Sequence, residues 1–201
     1  MRLDAPLDEL FSNRSHVRVL RALHRLPQGF AASGRELARR AGVTHPTALK
    51  ALALLVDVGV VTADRGLAGD VYELNRNHLL ADHVAGLFEA EADIGVELAS
   101  FLRERLRALT DKVKSATLFG SAVWGESTLR SDIDIAVSCN PGDLEEVESA
   151  LEQLAEAVQQ RFGNPLSPLV DSGMSKRKQG IWKRIETEGV PLIRSGKPVT
   201  A

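Results

Sequence analysis

Two aspartates, Asp132 and Asp134, stand at alternate positions of "SDIDIAVS", a stretch that otherwise reads as a β-strand. Strands are poor in Asp, and side chains two apart share a face, so both carboxylates point the same way while Ile133, Ile135 and Val137 take the other side. At about 6.6 Å along the strand their repulsion is about 0.6 kcal/mol in water and about 2.5 kcal/mol at an effective dielectric of 20. A fold that keeps this pair needs something to neutralise it. Divalent cations do so: Mg²⁺ takes oxygen ligands and commonly uses one or two carboxylates together with substrate phosphates. Two such ions can clamp an in-line phosphoryl or nucleotidyl transfer.

Upstream, Gly120 and Ser121 end the preceding apolar strand "KSATLF". A glycine lets backbone approach a phosphate closely, and a serine hydroxyl with the N–H groups of the following turn supplies donors to phosphate oxygens. Phosphate donors and metal ligands are thereby brought to one place.

The rest of the chain divides around this feature. Residues 1–77 read as helix, helix, turn, helix and hairpin. Val17, Leu20, Leu23 and Leu26 recur at helical spacing in "SHVRVLRALHRL". Ser33 caps a short helix ending at Gly42, and Thr44 caps the next, with Pro46 in its first turn and Gly59 as its stop. "VVTADRGLAGDVYELN" alternates on both sides of a glycine-containing tip. Two helices joined by a three-residue turn and followed by a hairpin make a winged helix-turn-helix. Its third helix would enter the major groove with His45, Thr47 and Lys50 exposed, and Arg65 near the wing tip would meet phosphate or the minor groove. Winged helices also serve as protein–protein modules, and that alternative stays open. A paired helix-turn-helix usually dimerises, which makes a homodimer the expectation.

Residues 78–112 form a helical connector, read as helix from Asn77 to about Lys112, and residues 113–201 alternate strands with helices. The expected class is α/β (α+β): an N-terminal winged helix-turn-helix, a helical connector, and a C-terminal mixed sheet flanked by helices. Charge follows the division. Residues 1–78 hold 11 Lys+Arg against 8 Asp+Glu, and residues 79–201 hold 14 against 19, a weak basic bias that suits nucleic acid. The one cysteine, Cys139, cannot form an intramolecular disulfide and reads as a small buried hydrophobe. "MRLDAPLDELF" lacks the apolar run of a signal peptide. "ALALLVDVGVV" is too short for a membrane span and contains Asp57. A soluble cytoplasmic protein with no membrane association is expected.

Gly120-Ser121, ten intervening residues and Asp132-Ile133-Asp134, with the flanking "LFGS" and "SDIDI", resemble the signature of the DNA polymerase beta-like nucleotidyltransferases, in particular the minimal nucleotidyltransferases. The resemblance covers about residues 114–195. It implies Mg²⁺-dependent transfer of NMP, commonly AMP from ATP, to an acceptor hydroxyl with release of pyrophosphate. It also implies that Gly120 and Ser121 hold the triphosphate and that Asp132 and Asp134 hold the metals. Members often carry a third carboxylate on a neighbouring strand; Asp171, which shares strand parity with Ser167 and Leu169, is the nearby candidate. Arg130 and Ser131, just before the pair, are placed to touch phosphate. The segment from "FSNRSHVRVLRAL" to "YELNRNH" resembles winged-helix modules fused to minimal nucleotidyltransferases. In similar systems the enzyme is an antitoxin that adenylylates a HEPN-type toxin, so a toxin-like protein is one implied acceptor. A small-molecule (antibiotic) nucleotidyltransferase and a DNA-binding regulator with a degenerate transferase domain are the alternatives.

The other chemistry-bearing residues read as ordinary structure. Glu145, Glu146, Glu148, Glu152 and Glu156 lie opposite an apolar stripe and form an exposed helix face. Lys176, Arg177, Lys178, Lys183 and Arg184 read as a solvated face, Trp124 as a core side chain, and the histidines lack zinc spacing.

Overall fold

A computed structural model of the chain describes residues 11–66, 69–124, 131–173 and 179–199. The chain forms two compact units, Met1–Ala92 and Asp93–Ala201.

In the first unit, α1 (Arg14–His24), α2 (Gly34–Ala41) and α3 (His45–Val58) pack with a three-stranded antiparallel sheet of β1 (Ala32–Ser33), β2 (Val61–Gly66) and β3 (Gly69–Leu74) in the order β1-β3-β2. Local chemistry sets the helix ends. The Asn13 side chain accepts from the Ser15 and His16 amides, Ser33 Oγ from the Glu36 amide, and Thr44 Oγ1 from the Thr47 amide. Such caps satisfy donors that a helix start leaves free. Gly42 (φ 62°) and Gly59 (φ 87°) close α2 and α3 in the left-handed region that glycine adopts without a Cβ penalty. Leu20, Leu23, Leu37, Leu52 and Leu55 fill the core, each worth about 1.5–3 kcal/mol by burial.

Two details differ from the sequence expectation. "PQGFAAS" is not all loop, because Ala32 and Ser33 pair with Tyr72 and Val71. Two residues carry no local strand signal; the edge of β3 recruits them. Helix α4 (Ala81–Leu106) starts after Asn77, because Asn75 accepts from the Asn77 amide and donates to Gly59 O, holding a turn there. A 3₁₀ turn, Arg107–Leu109, ends the helical stretch short of Lys112. Among the described residues, no helix is long and apolar enough to cross a membrane.

In the second unit, β4 (Val113–Phe119), β5 (Ile133–Cys139), β6 (Leu166–Asp171), β7 (Val190–Arg194) and β8 (Lys197–Pro198) form a mixed sheet in the order β6-β5-β4-β7-β8. The short helix α5 (Ser121–Trp124) follows β4, α6 (Leu144–Phe162) links the parallel strands β5 and β6, and α7 (Gln179–Glu188) precedes β7. β5 lies inside the sheet and has two different faces. Ile133, Ile135, Val137 and Cys139 join a core with Val147, Leu151, Leu154 and Val158 of α6. Ala136, on the opposite face, packs with Phe119 and Ile185, against which Trp124, Leu169 and Trp182 lie. Asp134 belongs to this second face, beside that apolar patch and not beneath α6. Cys139 is buried, and burial pushes its thiol above the usual range. The acidic side chains of α6 point to solvent, as their spacing predicts.

Candidate active site

The site begins where β4 ends. Phe119 pairs with Asp134 across the antiparallel β4–β5 ladder, so the next residue, Gly120, arrives beside the Asp134 carboxylate. Its φ is +78°, which L side chains rarely adopt. A Cβ here would stand 2.8 Å from Asp134 Cγ and closer still to Oδ2. Backbone conformation and space therefore both demand glycine. The chain then turns directly into α5, with the Val123 and Trp124 amides donating to Gly120 O at 3.1 and 3.0 Å. Ser121 opens that helix half-exposed.

Asp132 is exposed, one residue before β5, and Asp134 is half-buried. Burial chiefly, and the negative charge of Asp132 in addition, raise the Asp134 carboxyl above the ordinary carboxylate range; a hydrogen bond from the Ser167 hydroxyl opposes them. A carboxylate partly removed from water beside a like charge favours the proton or a cation.

The neighbouring strand corrects one expectation. β6 runs parallel to β5 with Asp134 opposite Ser167 and Ser138 opposite Asp171. Asp171 shares the face of Ser167, as their parity predicts, and this register puts that face on the side of Asp134, but Asp171 stands four residues farther along, about 13 Å from the level of Asp134. It is buried at 2% exposure and accepts from the Gly173 amide. It is therefore not a third carboxylate beside the pair, and Ser167 occupies that position. Among the described residues, no group of three or more His, Cys, Asp or Glu could hold a metal ion. The donor set that remains, two carboxylates beside a glycine cradle, still suits Mg²⁺, which needs only one or two protein carboxylates when phosphate oxygens complete its shell.

Asn164 was not singled out from sequence. Its amide donates to Ser131 O at 2.9 Å, and Pro165 O accepts from the Ile133 amide at 2.8 Å. These bonds fix the backbone on both sides of Asp132. The signal lay in "GNP", a turn whose Gly163 caps α6 at φ 77°. Ser131 is half-buried, whereas Arg130, Lys176, Arg177 and Lys178 lie outside the described residues. Trp124 packs beside Phe119, with ring centroids 6.3 Å apart. Arg184 does not simply face solvent: its guanidinium sits 3.6 Å over the Trp124 ring and donates to Glu188.

In the first unit, His45 and Lys50 are exposed on α3, as are Leu49 and Ala53, which the sequence reading passed over. Thr47 is half-buried and its hydroxyl pairs with Thr44 Oγ1 at 2.7 Å, so it secures the helix start. Arg65 is exposed opposite Asp70, one residue before the end of β2.

Two family models match the chain. Residues 102–196 match the polymerase beta nucleotidyltransferase model and residues 13–66 match the MarR family model. A search of curated proteins finds no match. The chain thus carries a MarR-type winged-helix DNA-binding domain followed by a nucleotidyltransferase domain.

Proposed function

We propose that the C-terminal unit transfers a nucleotidyl group from a nucleoside triphosphate, ATP by preference, to an acceptor hydroxyl, and that the winged helix binds DNA. The observation that carries the first half is the Gly120–Asp134 contact, in which the turn suited to phosphate is moulded against the carboxylate suited to a metal. Asp132 and Asp134 would hold Mg²⁺, which when bound neutralises phosphate charge and polarises the reacting oxygens. The Gly120–Ser121 turn binds the phosphate tail: backbone without a Cβ approaches it, and the Ser121 hydroxyl donates to it. Asn164 and Pro165 keep Asp132 in place. An acceptor oxygen bonds to the α-phosphorus, the bond to the pyrophosphate oxygen breaks, and the acceptor's proton is released. With Ser167 where another carboxylate would sit, this face offers Asp134 as the acceptor of that proton. A toxin-like partner protein and a small hydroxyl compound are the two acceptor classes to be screened.

Support for DNA binding is the exposed face of α3, where His45, Leu49 and Ala53 follow one another four residues apart and Lys50 stands beside Leu49. Lys50 suits phosphate or guanine, and Leu49 and Ala53 suit thymine methyl groups. The seat of Ser167 beside Asp134 favours a second reading: a regulator whose C-terminal unit binds nucleotide without transferring it.

One experiment separates the two. Full-length protein is incubated with α-labelled ATP, Mg²⁺ and co-purifying protein or small hydroxyl compounds, in parallel with Asp132→Ala and Asp134→Ala. Label on an acceptor in the wild type alone supports transfer. Absence of transfer with every acceptor, with nucleotide and DNA binding intact, supports the regulator.

A further inference from the structure

Helix α1 carries Arg14, Arg18 and Arg21, and its C-terminal cap is Arg25, at spacings of four, three and four, one continuous stripe. Like charges at these spacings destabilise an isolated helix by about 0.2–0.5 kcal/mol per pair, and α1 has no acidic residue in its first turn to offset them. Arg18, Arg21 and Arg25 line a cleft of about 550 Å³, together with Arg39 and Arg40 from the last turn of α2. No carboxylate is among the described lining residues. Glu91 pairs with Arg21 at 2.5 Å, and Glu36 pairs with Arg39 and Arg40 at 2.7 and 2.6 Å. Arg18 donates to Gly42 O at 3.2 Å. Among the described residues, five guanidiniums against two carboxylates leave a surplus of three. Arg21 on Glu91 and Arg39 on Glu36 are bidentate pairs, so an anion in the cleft competes with two carboxylates, while Arg18 and Arg25 pair with no carboxylate among the described residues.

Two features argue against an ordinary solvated face. The surface is concave, with a volume in the range of ligand pockets. Its cations are all arginine, whose rigid fork of donors matches phosphate oxygens two at a time, where lysine offers a point charge. Nor is it the face that α3 presents to DNA: His45 and Leu49 line a different cleft, with Arg35 and Tyr72.

We propose that the cleft between α1 and α2 is a binding site for a multiply phosphorylated anion. Such phosphate has two sources: a free nucleotide or polyphosphate, and the DNA backbone beyond the reach of α3. Only the second depends on the DNA-binding reading above.

The test uses the full chain in EDTA, so that the carboxylate site of the C-terminal unit cannot recruit a metal, with inorganic tripolyphosphate as the probe. Tripolyphosphate is expected to slow amide hydrogen exchange in the second half of α1 and around Gly42. Its affinity should fall at least about 10-fold in Arg18→Gln/Arg25→Gln, given that each charge-assisted phosphate bond exceeds a neutral one. Arg14→Gln, which removes one charge from the same helix outside the cleft and so matches the single variant Arg25→Gln, should leave it unchanged. In the second arm, gel shifts over a range of salt read the slope of log K against log salt. Loss of two phosphate contacts lowers that slope by about 1.8. A response in the first arm assigns a free polyphosphate, and a response in the second alone assigns the DNA backbone. Arg25→Gln, at the exposed end of α1, repeats each arm with one charge removed should the double variant misfold. If the variants match the wild type in both arms, the proposal is overturned. If the wild type shifts no DNA while the tripolyphosphate arm responds, the DNA-binding reading fails and the cleft stands.

Discussion

The two units present opposite charge to the same kind of group. Around the α1–α2 cleft the first unit gathers five arginines and, among the described residues, no lining carboxylate; at the start of β5 the second unit sets Asp134 against a glycine turn, with Asp132 two residues before it. Guanidiniums attract phosphate unaided, whereas carboxylates repel it unless a cation stands between. The difference teaches that a chelator should divide the molecule's phosphate chemistry, silencing the carboxylate face and sparing the arginine cleft. The same logic orders the substitutions.

The largest effect is expected at the pair itself. Asp134→Ala should cut nucleotidyl transfer at least about 100-fold, since even partners that only orient metal ligands are worth 10–100-fold; EDTA should do the same to the wild type. Label transfer and a DNA gel shift on one preparation check it. Equal loss of both activities would erase the contrast between the units.

Gly120→Ala comes next. A non-glycine residue in the left-handed region costs about 1–2 kcal/mol, and the new methyl must displace the Asp134 carboxylate. Transfer should fall about 10-fold or more, with a lowered unfolding midpoint confined to the second unit. Transfer at wild-type rate would show that the phosphate does not use this turn.

Ser167→Ala sharpens the electrostatic side. The Ser167 hydrogen bond favours the ionised Asp134 and opposes burial and Asp132, which favour the protonated form. Removing it raises the Asp134 carboxyl further. Metal binding needs the carboxylate, so activity lost as pH falls should be lost at a higher pH in Ser167→Ala than in the wild type. A pH–rate profile with an unmoved acidic limb would show that Asp134 does not control that limb.

These residues also mark what could be read before the fold was known. Gly120, Asp132 and Asp134 are joined by a short antiparallel connection, so spacing and period alone bring them together. Asp171 was given the parity of Ser167 and Leu169, because alternation within one strand is local; that this parity faces the same way as Asp134 is set by the β5–β6 register. The level of Asp171 along the sheet was not legible, because the nineteen-residue helix α6 and the Asn164–Pro165 turn set that register. A shift of four residues preserves parity while moving a side chain about 13 Å. The helix-turn-helix was legible for the opposite reason: Ser33, Gly42, Thr44 and Gly59 act within one turn of their own position. β1 was not, since its pairing with β3 is tertiary. The arginine stripe of α1 is visible as spacing, but that it faces Arg39 and Arg40 depends on how α1 and α2 pack.

On α3, Lys50→Ala should weaken DNA binding a few-fold and lower the salt slope by about 0.9 if Lys50 meets one phosphate. Leu49→Ala should leave the slope alone and lower discrimination for thymine over uracil, which lacks the methyl group that Leu49 would touch. The reverse pattern would mean that α3 does not lie in the major groove by this face, and the arginine cleft would remain, with Arg65 of β2, as a candidate for DNA phosphate among the described surfaces.

The smallest effect belongs to Glu36, and it measures how firmly the cleft's arginines are held. Hydrogen bonds from Arg39 and Arg40 bring its carboxyl from 4.5 to about 2, while Arg39 is raised by the same contact. A carboxyl depressed in the folded state stabilises above its unfolded value, and that contribution is lost as pH falls through the folded one. The window here is therefore about pH 4.5 down to 2. Because Glu36 is solvated and salt screens exposed pairs, the stability change should be slight and the titration itself is the readout. Carboxyl NMR should place Glu36 near the lower value in the wild type and return it toward 4.5 in Arg39→Gln/Arg40→Gln. Tripolyphosphate bound in the cleft should move it the same way, because phosphate draws both guanidiniums off the carboxylate. A Glu36 titration unmoved by saturating tripolyphosphate would mean that Arg39 and Arg40 stay on Glu36, leaving the α1 arginines alone to hold the anion.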